Sequence, residues 1–474
     1  MKRYEILAED IAQAIRSNVL KYGDRLPSVR QTSSSRGVSA STVFQAYYLL
    51  EAWGLIRARE RSGYYVINSS HHLPPEPEMH VNSSPDSISI NVSDLIFNIL
   101  ESVRKREVVP LGSAFPSPML YPFDKLARSI SSSIQHIDPW STVDDLTPGN
   151  SNLRRQIALR YLAEGMHIHT DDIIITNGAL DALNLCLFAV ARPGDAVIVE
   201  TPTFYGALQA LERMGVKAIE VSTHPREGID LKALKEALDR HHPKACWLMT
   251  NFQNPLGSLM SEAKKRDLVA LLTEYDVPLI EDDVYGELYF GTKKPLPAKA
   301  FDTNGIVMHC SSFSKSLAPG YRIGWAIPGR YTQSVARQKI TSTLSAPIPL
   351  QEGLANYLSK GGYDRHLRQL RHRLSVHQTN VMNAIGKYFP KGTLATRPEG
   401  GYFLWLELPH QVNTLQLHQQ ALSLGISIAP GSMFSANQKY SHCLRINYGH
   451  PDEKRSEDSL RILGQLCHTQ NLTY

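Results

Sequence analysis

The chain has 474 residues, 42% hydrophobic and 20% charged, with a formal net charge of +5. That length and composition allow more than one domain with a sizeable core and exclude a wholly disordered chain. No apolar run approaches the roughly 20 residues of a membrane-spanning helix. Met1-Lys2-Arg3-Tyr4-Glu5 meets acids too early for a secretory leader, so a cytoplasmic protein without a membrane partner is expected.

Five cysteines, Cys186, Cys246, Cys310, Cys443 and Cys467, are scattered and form no CxxC pair. Neither a disulfide framework nor a metal site is expected. The charge is uneven: residues 1–69 hold ten basic against six acidic side chains, a net +4, and leave the remainder nearly neutral. A basic head on a neutral body implies a polyanionic partner for the head alone.

In chain order, Leu7, Ile11, Ala14 and Ile15 recur at helical spacing until Gly23-Asp24 interrupts them. Pro27-Ser28 opens a short second helix that Gly37 ends. Ser39 caps a third, whose apolar face is Val43, Ala46, Tyr47 and Leu50. Leu55–Arg59 and Tyr64–Val66 read as two strands around Arg61-Ser62-Gly63. Three helices and a basic hairpin make a winged helix-turn-helix. The Pro- and Ser-rich stretch after it shows neither helical nor strand period and reads as a linker. The expected division is a head over 1–69, a linker over 70–92 and a body over 93–474.

The body alternates short apolar runs with helical patterns. Ile173–Ile175, Ala196–Val199, Cys246–Met249, Val277–Ile280 and Ile306–Met308 read as buried parallel strands of a doubly wound α/β sheet. After about residue 330 a long basic helical stretch and the strand-like Tyr402–Leu406 predict a smaller α+β C-terminal lobe.

The chemistry centres on Ser311-Ser312-Phe313-Ser314-Lys315, with Arg322 seven residues on. An amine just past an apolar strand can condense with an aldehyde when its surroundings lower its pKa. Nearby hydroxyls and a guanidinium suit a phosphate ester. Asn177-Gly178-Ala179 opens a helix, where free N–H groups and the helix dipole favour an anion. Other motifs are Glu281-Asp282-Asp283-Val284-Tyr285, Asn251-Phe252-Gln253-Asn254-Pro255, Thr203-Phe204-Tyr205 and Leu444-Arg445-Ile446.

From about Pro110 to Asn447 these motifs, in this order, resemble the fold type I pyridoxal-phosphate aminotransferases. The resemblance implies that Lys315 takes the cofactor's aldehyde, and that Ser312, Ser314, Arg322, Asn177, Gly178 and Ala179 hold its phosphate. It also implies that Asp282 faces the pyridine nitrogen, Tyr285 and Asn254 hydrogen-bond the ring oxygen, and Phe204 stacks on the ring. Lys315, Asp282 and Tyr285 would carry any catalysis, and Arg445 would grip an α-carboxylate with its planar fork. One departure is Asp144, where the family commonly has a tyrosine that reaches the partner subunit's phosphate.

The head resembles the GntR regulators through Asp24–Arg30, Gly37–Val43 and Ala46–Glu51. That implies base reading by Ser41, Thr42 and Gln45, near the recognition helix's N-terminus. Phosphate contacts then fall to Arg25, Arg30, Arg57, Arg59 and Arg61. The second helix departs from the family with Thr32-Ser33-Ser34-Ser35, residues that favour caps over helix interiors, and is expected to be marginal. Head plus body is similar to the MocR subfamily, which implies a homodimer, operator DNA and an amino-compound effector. The alternative is a working pyridoxal-phosphate aminotransferase with an incidental head.

Overall fold

The computed structural model describes residues 2–17, 19–21, 23–59, 62–67, 73–80, 86–102, 107–450 and 453–472. The head has three helices, α1 (Arg3–Arg16), α2 (Val29–Arg36) and α3 (Ala40–Ala52), and a hairpin of β1 (Ile56–Arg59) and β2 (Gly63–Val66). Ser28 caps α2 by accepting from the Gln31 N–H, while Gln31 Oε1 accepts from the Ser28 N–H. Gly37 ends α2 at φ +60°, a left-handed conformation that favours glycine. Ser39 caps α3. Two of the residues that make α2 weak are held from outside it: Thr32 Oγ1 meets the buried Tyr47 hydroxyl at 2.7 Å, and Ser33 Oγ donates to the Val38 carbonyl. In α1 the buried residues are Leu7, Ala8 and Ala12, with Ile11 and Ile15 only half-buried. The helix presents small alanines to α3, a face that a search for large apolar side chains displaces.

The body holds a nine-stranded sheet. Its main path runs Ser87–Ile88, Lys217–His224, Ala196–Thr201, Ala245–Leu248, Leu279–Asp282, Val307–Ser312, Gly324–Ile327 and Ile174–Thr176. Four consecutive pairings in its middle are parallel, and Gly324–Ile327 runs antiparallel to both neighbours. Successive strand residues join separate clusters: Val197 and Val199 one, Ile198 another; Trp247 one, Cys246 and Leu248 the other. Both faces are therefore covered, as the continuous apolar runs require.

The C-terminal lobe is a four-stranded antiparallel sheet of Leu394–Ala395, Phe403–Glu407, Cys443–Asn447 and Ala429–Pro430. The 27-residue helix Gly362–Tyr388 leads into it. Strands that escape the sequence reading include two of the main sheet, Lys217–His224 and Gly324–Ile327. The first carries polar residues at buried positions, among them Glu220, which accepts from the Ala436 N–H.

The stretch read as a featureless linker is partly built into the body. Ser87–Ile88 forms an edge strand against Ala218 and Ile219, a pairing too short to show a period in sequence. Upstream, the Pro75 carbonyl accepts from the Ala395 N–H, and Glu76 ion-pairs with Arg226 and Arg397. No helix among the described residues is long and apolar enough to cross a membrane.

Candidate functional site

Five of the motifs lie at carboxyl ends of strands in the main sheet. Asp282 ends Leu279–Asp282, Lys315 follows Val307–Ser312, and Asn177 follows Ile174–Thr176. Phe204 and Asn254 come just after Ala196–Thr201 and Ala245–Leu248. In a doubly wound sheet that edge is where ligands bind, because the helices that follow aim their N-termini there.

Lys315 is half-buried, and its Nζ donates to the Ala114 carbonyl at 2.9 Å and stands 3.7 Å from the Phe115 ring centre. Burial, assisted by the positive charges of Arg445 and Arg322 and opposed by Asp282, lowers its amine to about 7. A lysine so placed is largely neutral near physiological pH and is nucleophilic.

Asp282 is buried, and desolvation lifts its carboxyl to about 7, with Lys315 pulling the other way and Asp283 adding to the rise. Its Oδ1 has no hydrogen-bond partner among the described residues. A buried carboxylate oxygen left unpaired at a strand end fits a ring N–H as its partner. Asp283, next in sequence, accepts instead from Asn251 Nδ2 at 2.9 Å.

The residues expected to hold a phosphate also converge. The Arg322 guanidinium donates to Ser314 Oγ at 3.2 Å and to the Asn177 carbonyl at 3.1 Å, while the Ser314 N–H donates to Ser312 Oγ. Gly178, at φ +91°, begins the helix Ala179–Val190, and a Cβ there would collide with the Arg322 guanidinium. The turn therefore leaves a cradle of backbone at a helix N-terminus beside an arginine.

Arg445 is fully buried on Cys443–Asn447. It lies over the Phe403 ring at 4.1 Å, donates to Asn254 Oδ1 at 3.0 Å, and holds the carbonyls of Gly112 at 2.8 Å and Ser113 at 3.1 Å. Its Nε has no hydrogen-bond partner among the described residues. Tyr285 packs edge-on to Tyr402 at 5.4 Å, and burial pushes its phenol well up. Phe204 caps Tyr205–Met214 and is half-buried.

Sequence reasoning missed the loop of Gly112, Ser113, Ala114 and Phe115. Its carbonyls occupy both cations, and Asn447 Nδ2 holds it through Ser113 and Phe115. Tyr121, whose hydroxyl donates to the Lys315 carbonyl at 3.2 Å, was also missed. Backbone carbonyls leave no mark in sequence, and Tyr121 lies in no motif.

On the head, Arg25, Arg30, Ser41 and Gln45 are exposed and Thr42 is half-buried. Arg25, Ser28, Arg30 and Gln31 line one open groove. Ser39 Oγ touches both Ser41 Oγ and Thr42 Oγ1 at 2.8 Å. Arg57 instead donates to Asn380 Oδ1 of the body at 2.9 Å. Arg59 continues β1, and Arg61 lies outside the described residues. Asp144 is exposed in the short helix Ser141–Asp144.

A winged helix-turn-helix joined to this sheet and site is a DNA-binding head on a pyridoxal-phosphate-dependent aminotransferase fold. Comparison with known proteins agrees: residues 146–457 match "Aminotransferase class I and II", and residues 3–66 match "Bacterial regulatory proteins, gntR family". The chain is 47% identical to the uncharacterized HTH-type transcriptional regulator YdcR of Escherichia coli (strain K12), over 98% of this chain and 99% of that one. It is 39% identical to YjiR of the same organism, another uncharacterized HTH-type transcriptional regulator, over 99% of each. Among solved structures, the multiple substrate aminotransferase from Thermococcus profundus superimposes with a TM-score of 0.73 at 25% identity, covering 81% of this chain and 97% of that one. LysN, the alpha-aminoadipate aminotransferase from Thermus thermophilus, gives 0.71 at 26%, covering 81% and 100%. The chain belongs to the aminotransferase class I and II family and carries a gntR-family head, the architecture of the MocR regulators.

Proposed function

We propose that the chain is a cytoplasmic, homodimeric transcription regulator. Its head reads operator DNA, its body holds pyridoxal 5'-phosphate at Lys315, and an amino compound docking its carboxylate on Arg445 is the signal. The observation that carries the reading is the pairing of a neutral-leaning amine, Lys315, with a buried carboxylate, Asp282, whose Oδ1 lacks a hydrogen-bond partner among the described residues. When bound, the cofactor supplies an electron-withdrawing ring. Asp282 would hold a proton at the ring nitrogen, and Tyr285 and Asn254 would donate to the ring oxygen. Arg322, Ser312, Ser314 and the 177–179 turn would fix the phosphate. Arg445 would exchange the Gly112 and Ser113 carbonyls for an α-carboxylate, so effector arrival displaces that loop. Exposed apolar side chains at Met119, Trp140 and Val143 support a second copy as partner.

A ligand shifts such a regulator only if it binds one arrangement of heads more tightly than another. Footprinting the DNA upstream of the chain's own gene, with and without pyridoxal phosphate and a panel of amino acids, tests the whole reading. Protection indifferent to every addition would refute the coupling. Lys315, Asp282 and Arg445 together also permit a second reading, a working aminotransferase. Multiple turnovers with a keto acid acceptor would favour it.

A further inference from the structure

The head does not stand clear of the body. The Tyr48 ring on α3 lies 4.4 Å from the His372 ring of the helix Gly362–Tyr388, and Glu51 lies 3.8 Å from the same imidazole. Further along, Thr379 Oγ1 donates to the Ala52 carbonyl at 2.7 Å, and Asn380 accepts from Arg57. Gly54 is shaped by the contact, since a Cβ there would collide with Thr379 Cγ2.

Gln45 lines a groove together with Tyr48 from the head and Arg368 and His372 from the body. A side chain reads a base edge only at the floor of a major groove roughly 8.5 Å deep, with phosphate walls rising on both sides of the helix. His372 packs on Tyr48, three residues along α3 from Gln45 and on the same side of the helix, so the body and a phosphate wall would approach α3 from one side. The docked head also commits Arg57 to Asn380.

The same helix touches the cofactor lysine's loop at its other end. Tyr363 OH lies 2.6 Å from Ser316 Oγ, and His366 Nε2 lies 2.8 Å from the Ser316 carbonyl. Ser316 is the neighbour of Lys315. From His366 to Thr379 the helix spans about 20 Å at the usual rise of about 1.5 Å per residue.

We propose that the helix Gly362–Tyr388 is the receiving surface for the DNA-reading helix. The docked head is a state withheld from DNA, and movement of the Lys315–Ser316 loop releases it through this helix. The proposal rests on the regulator reading above and names its regulatory contact. DNA and the body compete for one face of α3, so a ligand that shifts the helix at Ser316 changes DNA affinity without touching the head.

The test uses the full chain, loaded and free of pyridoxal phosphate, with a labelled duplex from upstream of its own gene and binding read by fluorescence anisotropy. The His372→Ala/Asn380→Ala variant removes two body contacts, and Thr379→Val removes one hydroxyl at nearly constant shape. Both are expected to tighten DNA binding within the roughly 5- to 150-fold range of an ordinary coupling, and to blunt its dependence on cofactor. Unchanged binding in both variants, with a wild type that binds, overturns this proposal alone. Weakened binding also overturns it and would place Arg368 and its neighbours on the DNA face instead. If neither wild type nor variants bind any duplex, the regulator reading itself fails and takes this one with it.

Discussion

Arg445 donates to the side-chain oxygen of Asn254 across 3.0 Å, joining a strand of the C-terminal lobe to the loop that follows a strand in the main sheet. The bond ties the residue proposed for an effector's carboxylate to one proposed for the cofactor's ring oxygen, so on that reading the two ligands would meet on one hydrogen-bonded pair.

Arg445→Lys tests the carboxylate assignment. A lysine keeps the charge but cannot serve Asn254 and a carboxylate with a planar fork. Effector binding, measured calorimetrically on cofactor-loaded protein, is expected to weaken by about 1.5–3 kcal/mol, the usual worth of hydrogen bonds to a charged group. Cofactor loading should change little. An unaltered effector affinity would remove Arg445 from the site.

Cofactor uptake should depend on pH through the Lys315 amine. Only the neutral amine attacks an aldehyde, and burial lowers this one from 10.5 to about 7. Uptake therefore accelerates as pH rises through about 7 and levels off above it, well below the range of an exposed lysine. Asp282 raises the amine's pKa, so Asp282→Asn should move the midpoint to lower pH. Stopped-flow absorbance over a pH range of about 5.5 to 9 would show either pattern; a midpoint near 10 would contradict the desolvated setting.

The two classes of DNA residue should separate by salt. Arg30→Ala is expected to weaken binding evenly across sequences and to flatten the salt slope by about 1. Gln45→Ala should leave the slope alone and relax preference at one base pair by about 1–3 kcal/mol. Anisotropy titrations at several salt concentrations on matched and mismatched duplexes distinguish these outcomes.

Stability of the head should hinge on one hydroxyl. Tyr47 OH lies 2.7 Å from Thr32 Oγ1 and donates to the Pro27 carbonyl at 2.7 Å. Tyr47→Phe strands Thr32 of the weak helix and the Pro27 carbonyl just before it, so a loss of about 1–3 kcal/mol is expected in denaturant melts that follow the head.

Much of this was legible in the sequence because the signals are local. Ser28, Gly37 and Ser39 mark helix ends through their own caps, and the apolar runs before Asn177, Asp282 and Lys315 mark buried strands by composition alone. The contacts that matter for control are not local. Thr379 meets Ala52 and Asn380 meets Arg57 across more than 300 residues, and nothing in either stretch advertises the other. The loop Gly112–Phe115 acts through carbonyls that every residue has. Lys217–His224 hides its strand character behind a buried Glu220 that accepts from a distant N–H.

The central claim is that Lys315 is the amine that takes the cofactor. Borohydride reduction of protein incubated with pyridoxal phosphate, followed by peptide mass spectrometry, reads it directly. The expected result is a single phosphopyridoxyl adduct on the peptide containing Lys315, absent from Lys315→Ala. A label spread over surface lysines, with Lys315 unmodified, would contradict it.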